Sequence, residues 1–198
     1  RVITRCRETG SMAVDTETVL DAGAPPSVTP MRANLVSISI AVAPGEAYYL
    51  PFAHCGRRER QGGLDLGDAM PEVENLAVRN LPSILSHEMA PLRALLEDPG
   101  VRKTAHHAKY DLLVLRRAGV TLRGLDFDSM LASYVLDPGR RSHAIDALAL
   151  EFLGRSMTGY EEVCGKGKNA LPFDEVAIDV ARDYSCADSD VALQLRTL

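Results

Sequence analysis

The first third of the chain alternates apolar and polar residues at the spacing of strands. Ser11-Met12-Ala13-Val14-Asp15-Thr16-Glu17-Thr18 reads as a short strand, preceded by a helix or loop. Asn34 to Ala43 is rich in valine and isoleucine with period-two alternation, so it predicts a second strand with one polar and one apolar face. Pro44-Gly45-Glu46 has the composition of a tight turn, and Ala47 to Phe52 returns as a third strand. Three strands in succession predict an antiparallel meander.

Beyond residue 80 the period changes to that of helices. Helices are expected over 86–97, over Ala108 to Gly119 with the glycine as its stop, and at about 127–136 and 144–153. Val101 to Ala105 predicts one further strand between them. A final helix is expected from about Glu175 to the end. Residues 56–71, with Arg57-Arg58-Glu59-Arg60 followed by three glycines, read as an exposed loop whose charges are either solvated, the favoured reading, or in contact with DNA. Gly165-Lys166-Gly167-Lys168-Asn169 reads as a basic, flexible loop. No internal repeat, low-complexity tract or linker interrupts the 198 residues, so one α/β domain over 1–198 is predicted.

Composition changes this picture in few places. The chain is 46% hydrophobic and 25% charged, ordinary values for a packed soluble domain. A net charge of −5 argues against a dedicated duplex-DNA binder, because such proteins neutralise phosphates with basic side chains. It leaves room for an enzyme that meets phosphate through metal cations. The four cysteines are scattered with no C-x-x-C pair, which predicts reduced thiols rather than a disulfide framework or zinc site. No apolar run is long enough to span a membrane, and no signal peptide opens the chain. The chain starts on Arg1 and stops inside a helical pattern at Ala192-Leu193-Gln194-Leu195, which predicts a domain of a longer polypeptide.

The acids carry the chemistry. Asp15 and Glu17 stand two apart on a predicted strand, so both leave the same face. Strand interiors disfavour both residues, and two like charges on one face repel unless a cation joins them. Asp111 lies in the first turn of a helix that follows a strand. Tyr184 and Asp188 are four apart on the last helix and share a face, whereas Asp190 should point elsewhere. Singly each signal is weak. As an ordered set of D-x-E, K-Y-D and Y-x-x-x-D, each on an element of the expected kind, it is specific. Hydrolysis of a phosphodiester needs charge stabilised on the attacking and leaving oxygens, which two divalent ions can do. Hard cations such as Mg²⁺ take carboxylate ligands.

At these residues the chain resembles the DEDD-type proofreading exonucleases, specifically the tyrosine-type exonuclease domain of bacterial family A polymerases (DNA polymerase I). The three motifs fall at Asp15-Thr16-Glu17-Thr18, at Lys109-Tyr110-Asp111 followed by Leu115 and Gly119, and at Tyr184-Ser185-Cys186-Ala187-Asp188. Ala33-Asn34-Leu35-Val36, Pro44-Gly45, the turn into Pro51 and His54, Gly165-Lys166-Gly167-Lys168-Asn169 and the closing Asp188 to Leu195 extend the likeness over nearly the whole chain.

The resemblance implies an RNase H-like fold, with a central mixed β-sheet flanked by α-helices. It also implies two divalent metal ions, Mg²⁺ or Mn²⁺. Asp15, Glu17 and Asp188 would hold the first; Asp15 would reach the second, with Asp111 in support. Glu17 and Tyr184 would align the nucleophile. The substrate implied is the single-stranded or frayed 3′ end of DNA, released as nucleoside monophosphates. The partner implied is a polymerase domain of the same chain, the domain being monomeric and in the bacterial cytoplasm with the nucleoid.

Contacts to the strand are expected from Tyr110 and at three further positions. His107 stands where the family usually has asparagine; it is either a polar strand-end residue or a contact to the terminal nucleotide. Leu20 takes the place of the wedge against the terminal base. Tyr160 falls at an aromatic that touches the strand, with core packing as the other reading. The alternatives to a polymerase-linked exonuclease are a free-standing RNase D-like or Werner-type relative and a catalytically silent scaffold module. The presence of all four acids and the tyrosine argues against the last.

Overall fold

A computed structural model describes residues 1–23, 29–56, 79–167 and 170–198. All of the expected 56–71 loop but its first residue, and the end of the expected basic loop, Lys168 and Asn169, lie outside the described residues.

Among the described residues, five strands form one mixed sheet in the order β3-β2-β1-β4-β5. Strand β1 (Ser11–Leu20) runs antiparallel to β2 (Ala33–Ala43), which runs antiparallel to β3 (Glu46–Pro51), so the expected meander is present. Strands β4 (Arg102–Ala105) and β5 (Leu125–Asp128) add in parallel on the other side of β1. The helices are α1 (Val2–Thr9), α2 (Ala90–Glu97), α3 (Ala108–Arg117), α4 (Ser129–Leu136), α5 (Ile145–Leu153), α6 (Tyr160–Cys164) and α7 (Ile178–Leu195).

Several boundaries differ from expectation for local reasons. Helix α2 starts at Ala90 rather than 86, with Pro91 in its first turn where a missing N–H costs nothing. The stretch expected to begin a helix at 127 is the end of β5. Its helix starts two residues later, because Asp128 accepts hydrogen bonds from the Met130 and Leu131 amides and acts as the N-cap. Helix α7 starts at Ile178, because Phe173–Glu175 forms a separate 3-10 turn. Strand β5 and the short α6 had no counterpart in the sequence reading.

Alternate residues of the central strands feed two different layers. Met12, Val14, Ile38 and Ile40 join Cys6 of α1, Leu95 and Leu96 of α2 and Leu115 of α3 in the main core. The opposite face is built small: Ala13 and Ala41 meet Ala192 of α7, and Ser39 donates a hydrogen bond to the Ser185 carbonyl at 2.8 Å. Small residues at Ala181, Ser185, Ser189 and Ala192 let α7 lie close against β1 and β2. Helix α5 then packs on α7 through Leu148, Ala149, Val191 and Leu195.

Asp190 fastens the far side of α7. It is buried and accepts from the Gly45 amide (2.9 Å), the Arg155 guanidinium (2.7 Å) and Gln194 (3.0 Å), away from Asp188 as its spacing predicts. Asp190→Ala would strand these donors. We expect a loss of about 2 kcal/mol, read as a fall in Tm of roughly 4–8 °C. An unchanged melting curve would show that the anchor contributes nothing.

Candidate active site at the junction of strand β1 and helix α7

Asp15 and Glu17 leave β1 on the face that α7 covers, and Asp188 comes down from α7 to meet them. One carboxylate oxygen from each of the three lies within 4.8 Å of the others. Among the described residues none of the three is in an ion pair. Ser185 donates to Asp15 Oδ2 at 3.3 Å. Burial pushes the Asp15 carboxyl up to about 6. Burial and the charge of Asp15 push Asp188 up to about 8. Glu17, only 8% exposed, is raised by burial and then by the charges of Asp15, Asp188 and Asp111. Three acids held together against their own repulsion make a site with the right charge and donor chemistry for a hard cation.

Asp111 reaches this site by another route. Strand β4 pairs with β1 only at Ser11, Met12 and Ala13. Past that point no strand lies beside this edge of β1 among the described residues, and α3 begins there instead. Asp111 Oδ1 accepts from the Thr16 amide (3.1 Å) and the Thr16 hydroxyl (2.6 Å), so a carboxylate takes an edge donor that would otherwise be orphaned. It is 3% exposed and raised by burial and by the charge of Asp15. Asp111 stands outside the three-acid group, but it lines the same cavity as Asp15.

That cavity has a volume of about 300 Å³ and is also lined by Thr16, His106, His107, Tyr110, Met130, Ala144 and Ile145. His107 is the one described non-glycine residue in the left-handed region, at φ 67°. Asp128 holds this turn, accepting from the His107 amide (3.2 Å) and the Ala108 amide (2.8 Å) while it caps α4. The strained turn puts His107 beside Tyr110, with ring centroids 6.1 Å apart. The Tyr110 hydroxyl shares a hydrogen bond with Thr18 at 2.8 Å.

Tyr184 is placed by an irregularity in the sheet. Between Glu17 and Thr18 the β1–β2 register slips, leaving Val36 as an extra residue. The bulge reverses the facing of β2 beyond it, so Leu35 packs on the main core while Val36 turns to the α7 side, in the cluster that supports Tyr184. The Val36 carbonyl accepts from both Phe52 and Ala53. Phe173 lies 6.1 Å from the Tyr184 ring. Burial, then the charges of Asp188, Glu17 and Asp15, raise the Tyr184 hydroxyl well above the ordinary tyrosine value.

The remaining predicted positions fall at different distances from this centre. Tyr160, 49% exposed, stacks on Phe173 at 6.3 Å and meets Tyr184 edge-on at 6.4 Å; it combines core packing with an open face. Leu20, half-buried at the end of β1, does not line the cavity of Asp15 and Asp111. Sequence reasoning missed Thr16, Ser185 and Asp128. Asp128 had a local signal, an aspartate directly ahead of an apolar helical run. Thr16 and Ser185 act on partners 95 and 170 residues away and had none.

The chain is 36% identical over 195 residues to DNA polymerase I of Pseudomonas aeruginosa, covering 96% of this chain. It is 38% identical over 204 residues to DNA polymerase I of Rhizobium leguminosarum, covering 98%. The chain spans 18% of the length of each of these relatives. Among solved structures, Brucella melitensis NrnC bound to pGG superposes with a TM-score of 0.62 at 17% identity, covering 95% of this chain and 70% of that one. Escherichia coli RNase D, an exoribonuclease, gives 0.56 at 17% identity, covering 99% and 41%. These likenesses show the fold, which is RNase H-like. The match to the 3′-5′ exonuclease family runs over residues 1–197, and the chain belongs to that family.

Proposed function

We propose that this domain hydrolyses the terminal phosphodiester at the 3′ end of a DNA strand, single-stranded or frayed, and releases nucleoside monophosphates. The observation that carries the reading is the group of Asp15, Glu17 and Asp188, whose oxygens lie within 4.8 Å of one another with no ion-pair partner among the described residues. These three would hold divalent metal, a pair of Mg²⁺ or Mn²⁺ ions, with Asp111 in support from the α3 side of the cavity. Bound there, the ions supply positive charge to the attacking and leaving oxygens of the phosphodiester.

The protein's own part is positioning. Tyr184 stays protonated at neutral pH, because burial, and then the neighbouring acids, raise its hydroxyl well above the ordinary tyrosine value. It serves as a hydrogen-bond group that orients the attacking water and does not act as a base. The cavity at Asp15 and Asp111 receives the terminal nucleotide, with His107 and Tyr110 on its wall. The DNA polymerase I relatives support DNA as the substrate and a polymerase module of the same chain as the partner.

The test is incubation of the protein with a 3′-labelled DNA oligonucleotide, with and without Mg²⁺ or Mn²⁺. Labelled mononucleotide that appears only with metal is the expected result. No release with either metal overturns the reading, and faster release from an RNA oligonucleotide moves the substrate class. Tyr184→Phe is expected to lower the rate by roughly 10–100-fold, with Mn²⁺ affinity unchanged. An equal loss of affinity would contradict the orienting role.

A further inference from the structure

Ser185 occupies an unusual place for a mid-helix serine. It is fully buried in α7, beside Tyr184 and one turn before Asp188. Such hydroxyls commonly bond back to a carbonyl of their own helix. Ser189, one turn further on and equally buried, does this: its hydroxyl donates to the Cys186 carbonyl at 3.2 Å. The Ser185 hydroxyl instead leaves the helix and donates to Asp15 Oδ2 on β1 at 3.3 Å. The Ser185 carbonyl accepts from Ser39 of β2 at 2.8 Å, and Ser39 is the residue paired with Asp15 across the β1–β2 ladder. Asp15, Ser185 and Ser39 thus close a ring that joins two strands and one helix.

A carboxylate with one oxygen tied loses the freedom to rotate about its last bond, which leaves the second oxygen aimed in a fixed direction. Groups that orient metal-binding side chains in this way commonly contribute 10–100-fold to affinity. We propose that Ser185 is a positioning residue that holds Asp15 in the orientation its metal-binding role requires. This inference rests on the function proposed above.

The test compares the parent with Ser185→Ala and Ser189→Ala in Mn²⁺ binding, followed by calorimetry or electron paramagnetic resonance, alongside melting curves. Alanine suits a helix interior, so both variants should fold. Ser185→Ala is expected to weaken Mn²⁺ binding about tenfold with no loss of Tm, while Ser189→Ala binds like the parent. Equal affinity for Ser185→Ala and the parent overturns the inference. So does an equal loss in the two variants, which would mark a general disturbance of α7. A parent that binds no Mn²⁺ overturns the proposed function itself, and the two failures are thereby distinct.

Discussion

Asp188→Asn should abolish nuclease activity, by roughly 10³-fold or more, and yet yield a domain that melts later than the parent when no metal is present. Both effects come from one feature. Asp188 stands within 4.8 Å of Asp15 and Glu17 oxygens in a buried group with no ion-pair partner among the described residues. The neutral amide keeps the shape but removes the repulsion and the cost of a desolvated charge. Replacing such groups is worth ~1–3 kcal/mol of stability, about 2–4 °C of Tm per kcal/mol for a chain of this size. Asp15→Asn should behave alike. Activity at the parent's rate would show that the chemistry lies elsewhere, and a lower metal-free Tm would show that the acids do not oppose each other.

The metal-free domain should also lose stability as pH rises from about 4 to about 8. Asp15 and Asp188 are raised to about 6 and about 8 in the folded state, from an ordinary value near 3.8. Across that interval the folded protein keeps protons that the unfolded chain has already released. Folding therefore costs more with each step upward in pH, until both groups are ionised in either state. A divalent cation removes this cost by binding the ionised form. The Tm gain from Mn²⁺ should accordingly be larger at pH 8 than at pH 6. At a hundred times the dissociation constant the added stability is about 2.7 kcal/mol. A metal-free Tm that climbs over this interval, or a Mn²⁺ gain independent of pH, would contradict the buried-acid account.

The parts of the molecule legible in its sequence were those with a local cause. The alternation in Asn34 to Ala43 found β2 to within one residue, and Ala108 was identified as the start of α3. The two-residue spacing of Asp15 and Glu17 correctly put both on one face, and the four-residue spacing of Tyr184 and Asp188 put that pair on another. Strand β5 escaped because Leu-Asp-Phe-Asp is four residues long and ends in a helix cap, so its pattern merged with α4. The bulge at Val36 escaped because Val, Ile and Leu are acceptable on either face of a buried strand; only tertiary packing decides which way they turn. The same limit hid Thr16 beneath Asp111 and Ser185 behind Asp15, since side-chain partners so far apart leave no periodic trace.

The proposed acids are divided among β1, α3 and α7, with Asp15 meeting Ser185 across 170 positions. At ribosomal speeds of about 5–20 residues per second, Asp15 and Ser185 emerge roughly 9–34 s apart. Until α7 docks, a nascent chain carries Asp15, Glu17 and Asp111 without Tyr184 or Asp188. If the proposed function holds, such a chain should be inert toward nucleic acid, and truncated products that end before α7 should be equally inert.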